Sequence, residues 1–272
     1  RKIFKLKRRP KLNPLIIHYY DIKQIINDVV INDNFKKLYK NLCPGPITFI
    51  LKKNKNSKIS SLACAKLKTI AIRFPKHKVT RSILKNINYP LAMPSANMSS
   101  NVSPISAQDV FDEFKNKIKV IIDGGQSIVG IESTVVDLTK SPRILRPGII
   151  TSSEIEKILK LKIKKNNKNL KIKSPGMLKK HYSPGIAVLI NQKKSDENSA
   201  FIYLGNKYKN DNKKFSLSKS SNLDEAASNL YKTFRLIKKR GFKKIQIARI
   251  PLRGAGIAIN DRIKRAAQKK WN

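Results

Sequence analysis

Residues 93–104 read MPSANMSSNVSP, a loop with four serines, two asparagines and no charged side chain. It follows the apolar segment 89–92 and precedes a helix-like run at 107–114. A loop between a strand and a helix gathers backbone N–H groups at the positive end of the helix dipole, where phosphate binds well. Neutral serine and asparagine side chains add hydrogen-bond donors without a competing negative charge. The stretch therefore indicates either an anion-binding loop or an ordinary polar turn with Ser106 as the helix N-cap.

The segments on either side of this loop mix strand and helix patterns without strict alternation. Thr151-Ser-Ser-Glu154 is a capping box that opens a helix. This arrangement predicts an α/β fold with a twisted mixed sheet rather than a purely parallel one. The predicted strands are 15–17, 47–51, 69–73, 120–123, 134–138 and 143–145, and the predicted helices are 21–42, 78–86, 106–116 and one that starts at 151.

The composition changes after about residue 157. Residues 157–173 contain eight lysines and neither glycine nor proline. Beyond this stretch, strand-like segments at 186–190, 201–203 and 245–248 and helical patterns at 223–239 and 260–270 predict a small Rossmann-like α/β domain with a parallel sheet. The predicted organisation is a first domain at 1–162, a linker or lid at 163–185 and a second domain at 186–272.

The charge of the chain is extreme: 59 Lys and Arg face 17 Asp and Glu, a formal net charge of +42. A polyanionic partner such as RNA, a nucleotide or an acidic membrane would explain it. Biased codon use in an AT-rich genome would explain it too, because Lys, Asn and Ile are abundant together. Charge alone does not identify the partner.

The two cysteines, Cys43 and Cys64, form no CxxC motif and lie near no histidine cluster. Their spacing argues against a disulfide scaffold or a zinc site, so no metal site is predicted and a reducing cytoplasm fits best. No apolar run approaches 18 residues, so no membrane-spanning helix is expected.

Arg9, Arg73 and Arg146 each lie at the margin of a predicted strand, beside or near glycine or proline. A single arginine is more often a solvated surface charge. Three at strand margins favour a site for a triphosphate and a carboxylate, because arginine pairs bidentately with both. No Ser-His-Asp, Cys-His or paired-carboxylate grouping is apparent, so no catalytic residue is assigned. Gly125 and Gly130 have Walker-loop spacing, but Ile-Glu follows where Lys-Ser is required.

Taken together, a set of short motifs resembles the threonylcarbamoyl-AMP synthase family, with its YrdC-like fold, in the long two-domain form. The order and spacing of the motifs match as well as their letters. The motifs are Lys7-Arg-Arg-Pro-Lys-Leu-Asn-Pro-Leu15, Cys43-Pro-Gly-Pro-Ile-Thr48, Pro94-Ser-Ala-Asn97, Ser103-Pro104, Asp123-Gly-Gly125, Glu132-Ser-Thr-Val-Val-Asp-Leu138, Leu145-Arg-Pro-Gly148, Ser174-Pro-Gly-Met177, His181-Tyr-Ser-Pro184, Gly254-Ala-Gly256 and Asn260-Asp-Arg262.

The resemblance implies an enzyme that forms threonylcarbamoyl-adenylate and pyrophosphate from L-threonine, bicarbonate and ATP. It implies Mg²⁺ held through the ATP phosphates, a downstream complex that transfers the threonylcarbamoyl group to tRNA, and a cytoplasmic location; it also allows a contact with tRNA itself. By motif position, ATP is expected to contact Arg9, Asn13, Thr69, Met93, Ser95, Ser103 and Arg146. Threonine is expected to contact His18, Arg73 and Ser133, and His181 and Tyr182 are expected to belong to a lid.

Several positions depart from the family pattern. Ser100 stands where the family has glycine, Cys43 where it has tryptophan and Lys179 where it has an aromatic residue. The resemblance also implies that a strand and a Thr-Val-Tyr-Gly-like segment precede Arg1. The chain is therefore expected to be a fragment that retains much of the fold and weak ATP binding but lacks synthase activity.

Two rival interpretations stay open on the sequence alone. The first is a non-catalytic YrdC-like module that binds RNA through its basic surface. The second is a carbamoyl-transfer maturation enzyme that shares the fold. Such enzymes carry acylphosphatase-like and zinc-binding regions, so the scarcity of cysteine argues against the second.

Overall fold

The computed structural model describes residues 1–163, 181–208 and 211–267. Among these residues the chain divides into two compact units, each discontinuous in sequence. Residues 95–132 belong to the second unit, although the sequence groups them with the first predicted domain; the domain boundaries themselves remain a prediction. Most of the predicted linker lies outside the described residues. The first unit takes residues 1–5, 9–94 and 133–163, and the second takes 6–8, 95–132, 181–208 and 211–267.

A six-stranded mixed sheet forms the first unit. Its strand order is β4-β1-β3-β2-β5-β6; the β1–β3 and β2–β5 pairs are parallel and the other pairs antiparallel. The prediction of a mixed sheet is confirmed. The strands are β1 (Ile16–His18), β2 (Ile47–Lys52), β3 (Thr69–Arg73), β4 (Leu91–Ala92), β5 (Thr134–Asp137) and β6 (Arg143–Arg146).

Most of the helices follow the predicted pattern. The capping box is present, because the Thr151 side chain accepts from the Glu154 N–H and the Glu154 carboxylate accepts from the Thr151 N–H. The side chain of Ser106 accepts from the N–H of Asp109 and caps α4, as the polar-turn interpretation of residues 93–104 predicts. The helices are α1 (Lys2–Leu6), α2 (Asp33–Leu42), α3 (Lys78–Lys85), α4 (Ala107–Phe114), α5 (Ser152–Leu159), α6 (Leu223–Lys239) and α7 (Gly256–Ala267), with short 3-10 turns at Ile22–Ile25 and Lys115–Lys117.

The two faces of the six-stranded sheet differ in character. Because side chains alternate along a strand, paired residues of neighbouring strands share a face. One face carries large apolar residues that pack against helices α2 and α5, and each fully buried side chain of this kind contributes roughly 1.5–3 kcal/mol. The other face has a smaller apolar cluster, formed by Ile16, Ile50, Ala71, Val135 and Leu145. The first face includes Ile17, Phe49, Ile70, Ile72 and Val136, with Phe35, Leu38, Ile155 and Leu159 from the helices.

A four-stranded parallel sheet of order β7-β10-β8-β9 lies in the second unit. The predicted parallel sheet is confirmed. Helix α6 buries Leu230, Phe234 and Ile237 at helical spacing. The side chain of Asn222 caps its first turn by accepting from the N–H groups of Asp224 and Glu225. The strands are β7 (Ala187–Leu189), β8 (Ala200–Tyr203), β9 (Lys214–Ser216) and β10 (Lys244–Ile247).

Two local predictions were wrong. Residues 120–123 are not a strand: Val120 and Ile122 are exposed, and no described strand pairs with them, so the backbone lacks the ladder that a strand needs. The predicted helix at 21–42 is two elements instead of one. Asp21 caps a 3-10 turn and Asn32 caps α2, because both side chains accept from backbone N–H groups and so start a new helical segment.

None of the helices in the described part of the chain is long and apolar enough to cross a bilayer.

Candidate active site

His18 and Arg73 are neighbours at the ends of two parallel strands. They are the last residues of β1 and β3, and the register pairs them directly. The pairing places both side chains on the less apolar face of the sheet, at the edge where these strands end. The His18 side chain is buried. A cation and an imidazole therefore lie side by side at this edge.

His18 is neutral in this environment. Burial lowers its pKa to about 3, and the positive charge of Arg73 acts in the same direction, while hydrogen bonds to the backbone of Ile16 and Leu91 oppose the shift. The Nδ1 atom lies 3.1 Å from the carbonyl oxygen of Ile16. A neutral imidazole keeps one nitrogen without a proton, so His18 offers a hydrogen-bond acceptor and no charge.

Ser133 and Arg146 form a second polar group at the same edge. The Nε and Nη2 atoms of Arg146 donate to the carbonyl oxygen of Ser133 over 3.1 and 2.9 Å, and Nη2 also donates to its hydroxyl over 3.0 Å. That hydroxyl lies 2.7 Å from the hydroxyl of Thr48. The topology explains the meeting: β2 and β5 begin, and β6 ends, at the edge where β1 and β3 end.

Thr69 and Met93 share the face but not the edge. Thr69 is the first residue of β3, four residues before Arg73, or about 13 Å along the strand. Met93 extends the β1–β4 ladder, since its N–H donates to the carbonyl oxygen of Ile16 over 3.2 Å. The face thus offers polar positions at both ends, with an apolar floor between them. The structure does not place Thr69 or Met93 beside Arg146, the other strand residue assigned to ATP, and their role stays a prediction.

Arg9 and Asn13 organise the loop that leads into β1. The Nε of Arg9 donates to the carbonyl oxygen of Asn13 over 3.0 Å, and Nη2 donates to the Asn13 Oδ1 over 2.9 Å and to the Pro14 carbonyl oxygen over 2.6 Å. Both predicted residues are largely buried, with 9% and 1% of their surface exposed. The structure brings the two residues into contact with each other, and their role in binding ATP stays a prediction.

In the second unit, Lys7 fastens the loop that contains Ser95. Its ammonium donates to the carbonyl oxygens of Ser95, over 2.6 Å, and Asn97. The Asn97 amide donates to the carbonyl oxygens of Met98 and Asn101. The asparagine side chain therefore shapes the loop from within, and the ammonium of Lys7 adds positive charge where the sequence suggested an anion-binding loop.

The remaining predicted residues also lie in the second unit. The hydroxyl of Ser103 donates to the carboxylate of Glu132 over 2.6 Å. Tyr182 is fully buried, with a positive φ of 63°, and its ring lies 4.1 Å from that of His181 and 5.9 Å from that of Tyr231. Here the two residues predicted to form a lid belong to the packed interior of this unit. Their role as a lid stays a prediction.

Sequence reasoning gave no role to three residues whose side chains hydrogen-bond to predicted site residues within their own unit. Lys7, Thr48 and Glu132 were quoted within motifs but given no role. Strand parity could have found Thr48, because it is placed on the same face as Arg73 once β2 is known to run antiparallel to β3. No group of three or more His, Cys, Asp or Glu side chains within 1–163, 181–208 and 211–267 is arranged to hold a metal ion.

Comparison with known proteins identifies the family. A family model described as "Telomere recombination", of the Sua5, YciO and YrdC group, matches residues 1–148, and one described as the C-terminal domain of threonylcarbamoyl-AMP synthase matches residues 150–268. The chain belongs to the threonylcarbamoyl-AMP synthase family. The expectation from the motifs is thereby confirmed, and the polar face of the six-stranded sheet becomes the candidate active site of a synthase.

Members of this family from distant organisms resemble the chain along nearly its whole length. It is 33% identical to the threonylcarbamoyl-AMP synthase of Pyrococcus abyssi, covering 98% of this chain and 84% of the relative. It is 31% identical to the Bacillus subtilis enzyme, covering 98% and 83%. Its fold is similar to the crystal structure of P. abyssi Sua5 complexed with L-threonine, with a TM-score of 0.88 and 32% identity over 98% of this chain and 83% of that one.

Proposed function

We propose that the polar face of the six-stranded sheet binds L-threonine and that the protein joins it to bicarbonate and ATP, forming threonylcarbamoyl-AMP. In this reaction the threonine nitrogen becomes bonded to the bicarbonate carbon. One bicarbonate oxygen leaves as water, and another becomes bonded to the α-phosphorus of ATP as pyrophosphate departs. We expect ATP to enter as its Mg²⁺ complex, with the metal held by phosphate oxygens and water.

The pairing of His18 with Arg73 is the observation that carries this proposal. The guanidinium of Arg73 suits the carboxylate of threonine, because it presents parallel N–H donors. A neutral imidazole beside it can accept a hydrogen bond from threonine without repelling the amino group that must react. The similar structure of P. abyssi Sua5 is complexed with L-threonine, which supports threonine as the ligand. Ser133, held by Arg146 and Thr48, supplies a further hydroxyl at this edge.

The nucleotide part rests on the remaining predicted contacts. Arg9 and Asn13 at the entry to β1, Ser95 in the loop held by Lys7, and Arg146 supply cations and donors for phosphate groups. Transfer of this kind depends mainly on positioning and charge neutralisation, which this set of residues provides. We further propose that the product is handed to a tRNA-modifying complex in the cytoplasm.

Pyrophosphate release tests the proposal. We expect the complete protein to release pyrophosphate from ATP only when threonine and bicarbonate are both present. Arg73→Ala should weaken the use of threonine by an amount on the order of 2–5 kcal/mol, with a much smaller effect on ATP, because it removes the partner of a buried carboxylate. Arg81→Ala is the matched control, since Arg81 contacts Tyr20 in the same unit.

The outcomes separate the alternatives. Release of pyrophosphate without threonine would contradict the reaction, and equal losses for threonine and ATP in Arg73→Ala would contradict the assignment of Arg73. The second candidate function is a non-catalytic RNA-binding module, which only the net charge of +42 favours. RNA binding with no pyrophosphate release under any condition would support that module instead.

A further inference from the structure

The side chain of Ser103 is linked through Glu132 to two helices of the C-terminal part of the chain. Its hydroxyl donates to Oε1 of Glu132 over 2.6 Å. The same carboxylate accepts from the hydroxyl of Tyr231 on α6, 3.1 Å from Oε2, and from Nε of Arg262 on α7, 2.8 Å from Oε2. Glu132 thus links Ser103 to residues that follow it by more than 120 positions.

Arg235 holds the backbone of the same residue. Its Nη2 donates to the carbonyl oxygen of Val102 over 2.9 Å, and its Nε donates to the carbonyl oxygen of Ser103 over 3.4 Å. An ion pair with Asp109, 3.5 Å away, keeps the guanidinium in place. Tyr231 and Arg235 are four residues apart on α6, so they project from one side of the helix. The side chain and the backbone of Ser103 are therefore fixed by adjacent turns of α6.

Because these hydrogen-bonded groups are buried, they hold Ser103 in one position. Tyr231 and Arg262 are fully buried, and Ser103 is 7% exposed. Burial raises the pKa of Tyr231 well above its ordinary value, and the charge of Glu132 adds to the shift, so the phenol remains a donor. In a low-dielectric interior such a network is stiff, and losing one member leaves the others poorly satisfied. Because the Ser103 hydroxyl donates its hydrogen to Glu132, its oxygen can act towards a ligand only as a hydrogen-bond acceptor.

We propose that Tyr231, Arg235 and Arg262 are positioning residues for the nucleotide, acting through Ser103. They fix the rotamer and the backbone of Ser103, so helices α6 and α7 contribute to nucleotide binding through this residue. The inference rests on the proposed function, because it takes Ser103 as part of the nucleotide pocket. The packing of residues 95–132 in one unit with the C-terminal sheet supports it.

The test uses substitutions that keep size and shape. Arg262 carries a buried charge whose loss threatens folding, so the variants are Tyr231→Phe and Arg235→Gln. Tyr203→Phe and Arg240→Gln are matched controls. Tyr203 is a buried tyrosine of the same unit whose hydroxyl donates to the Tyr208 carbonyl oxygen, and Arg240 is the residue after α6 and donates to the Asn212 carbonyl oxygen.

The dissociation constants of Mg-ATP and of L-threonine are measured separately by calorimetry. We expect Tyr231→Phe and Arg235→Gln each to weaken ATP binding about 3- to 10-fold, the value of one well-placed hydrogen bond. Threonine binding should stay within about 2-fold, since its contacts lie on the six-stranded sheet, and the controls should leave both ligands within about 2-fold. Adding Tyr231→Phe to the Ser103→Ala variant should cause no further loss of ATP affinity, because the effect of Tyr231 passes through Ser103.

The outcomes distinguish this inference from the proposed function. Equal losses for both ligands, losses in the controls as large as in the variants, or additive losses in the double variant would overturn the positioning role while leaving the synthase intact. Failure of the unsubstituted protein to bind Mg-ATP at all would overturn the nucleotide assignment, and with it this inference.

Discussion

His18 shows how far a single residue depends on its neighbours. As a letter in the sequence it follows an apolar strand and reads equally well as an ordinary residue at the edge of the core. The fold sets it beside Arg73 and away from water, and these two influences lower its pKa to about 3, so it stays uncharged well below neutral pH. A protonated imidazole there would repel both Arg73 and an incoming amine. The chemical role of His18 therefore comes from its surroundings.

The pH dependence of stability tests the state of His18. The pKa is lowered in the folded protein, so between about 6.5 and 3 the unfolded chain binds more protons. The stabilisation is complete above pH 6.5 and is lost as the pH falls towards 3. Relative to His18→Asn, the protein should lose about 2–3 kcal/mol of unfolding free energy between pH 7.5 and pH 4.5. Urea unfolding at both pH values measures it, and parallel pH profiles would rule out a buried neutral histidine.

At the scale of elements, strand pairing decides what the local pattern leaves undecided. Residues 47–51 and 120–123 look alike as short apolar runs. The first run lies between β3 and β5 and is a strand; the second pairs with no described strand and stays exposed.

Similarly, Gly125 and Gly130 look alike as members of a glycine-rich loop. Only Gly130 approaches another element: a Cβ there would lie 2.4 Å from the carbonyl oxygen of Ser228 on α6.

Substitutions at these two glycines separate backbone strain from close approach. Both have a positive φ, +79° at Gly125 and +72° at Gly130, so alanine at either should cost roughly 1–2 kcal/mol. Gly130→Ala should cost a further 1–3 kcal/mol, because the loop at 130 or helix α6 must move. Gly125→Ala, with nothing within 4 Å of its new Cβ, is the control. Equal shifts in denaturant midpoint for the two variants would show that the approach to Ser228 is not tight.

On the scale of the whole molecule, the net charge of +42 does not by itself separate an enzyme from an RNA-binding module. Arg9, Arg73 and Arg146 have defined local positions, whereas most lysines are spread along the chain. A nucleotide site uses a few fixed cations and dipoles. A basic surface acts through many released counterions, so salt affects the two kinds of binding very differently.

Salt dependence therefore discriminates between the two functions. Consider an unrelated RNA that the protein binds through six or more phosphate contacts. Between 50 and 200 mM KCl, its binding should weaken by roughly 10³-fold or more. Binding of Mg-ATP should weaken by less than about 10-fold, since only a few charges are involved. Filter binding for RNA and calorimetry for ATP provide the comparison. An ATP affinity that falls as steeply as RNA binding would indicate a diffuse electrostatic surface in place of a formed pocket.

The sequence by itself determined the class of fold and the family, because these depend on local signals. Apolar patterns marked eight of the ten strands in the described residues, all but β4 and β9. Thr151 with Glu154 marked a helix start, and the ordered motifs from Arg9 to Arg146 indicated the family. Only the tertiary structure decided the pairing of His18 with Arg73, the bond of Arg146 to Ser133 and the attachment of Ser103 to α6 and α7. Strand order and long-range packing join residues far apart in the chain, and no local pattern specifies them. The low pKa of His18 is of the same kind, because burial and a neighbouring charge arise only when the sheet assembles.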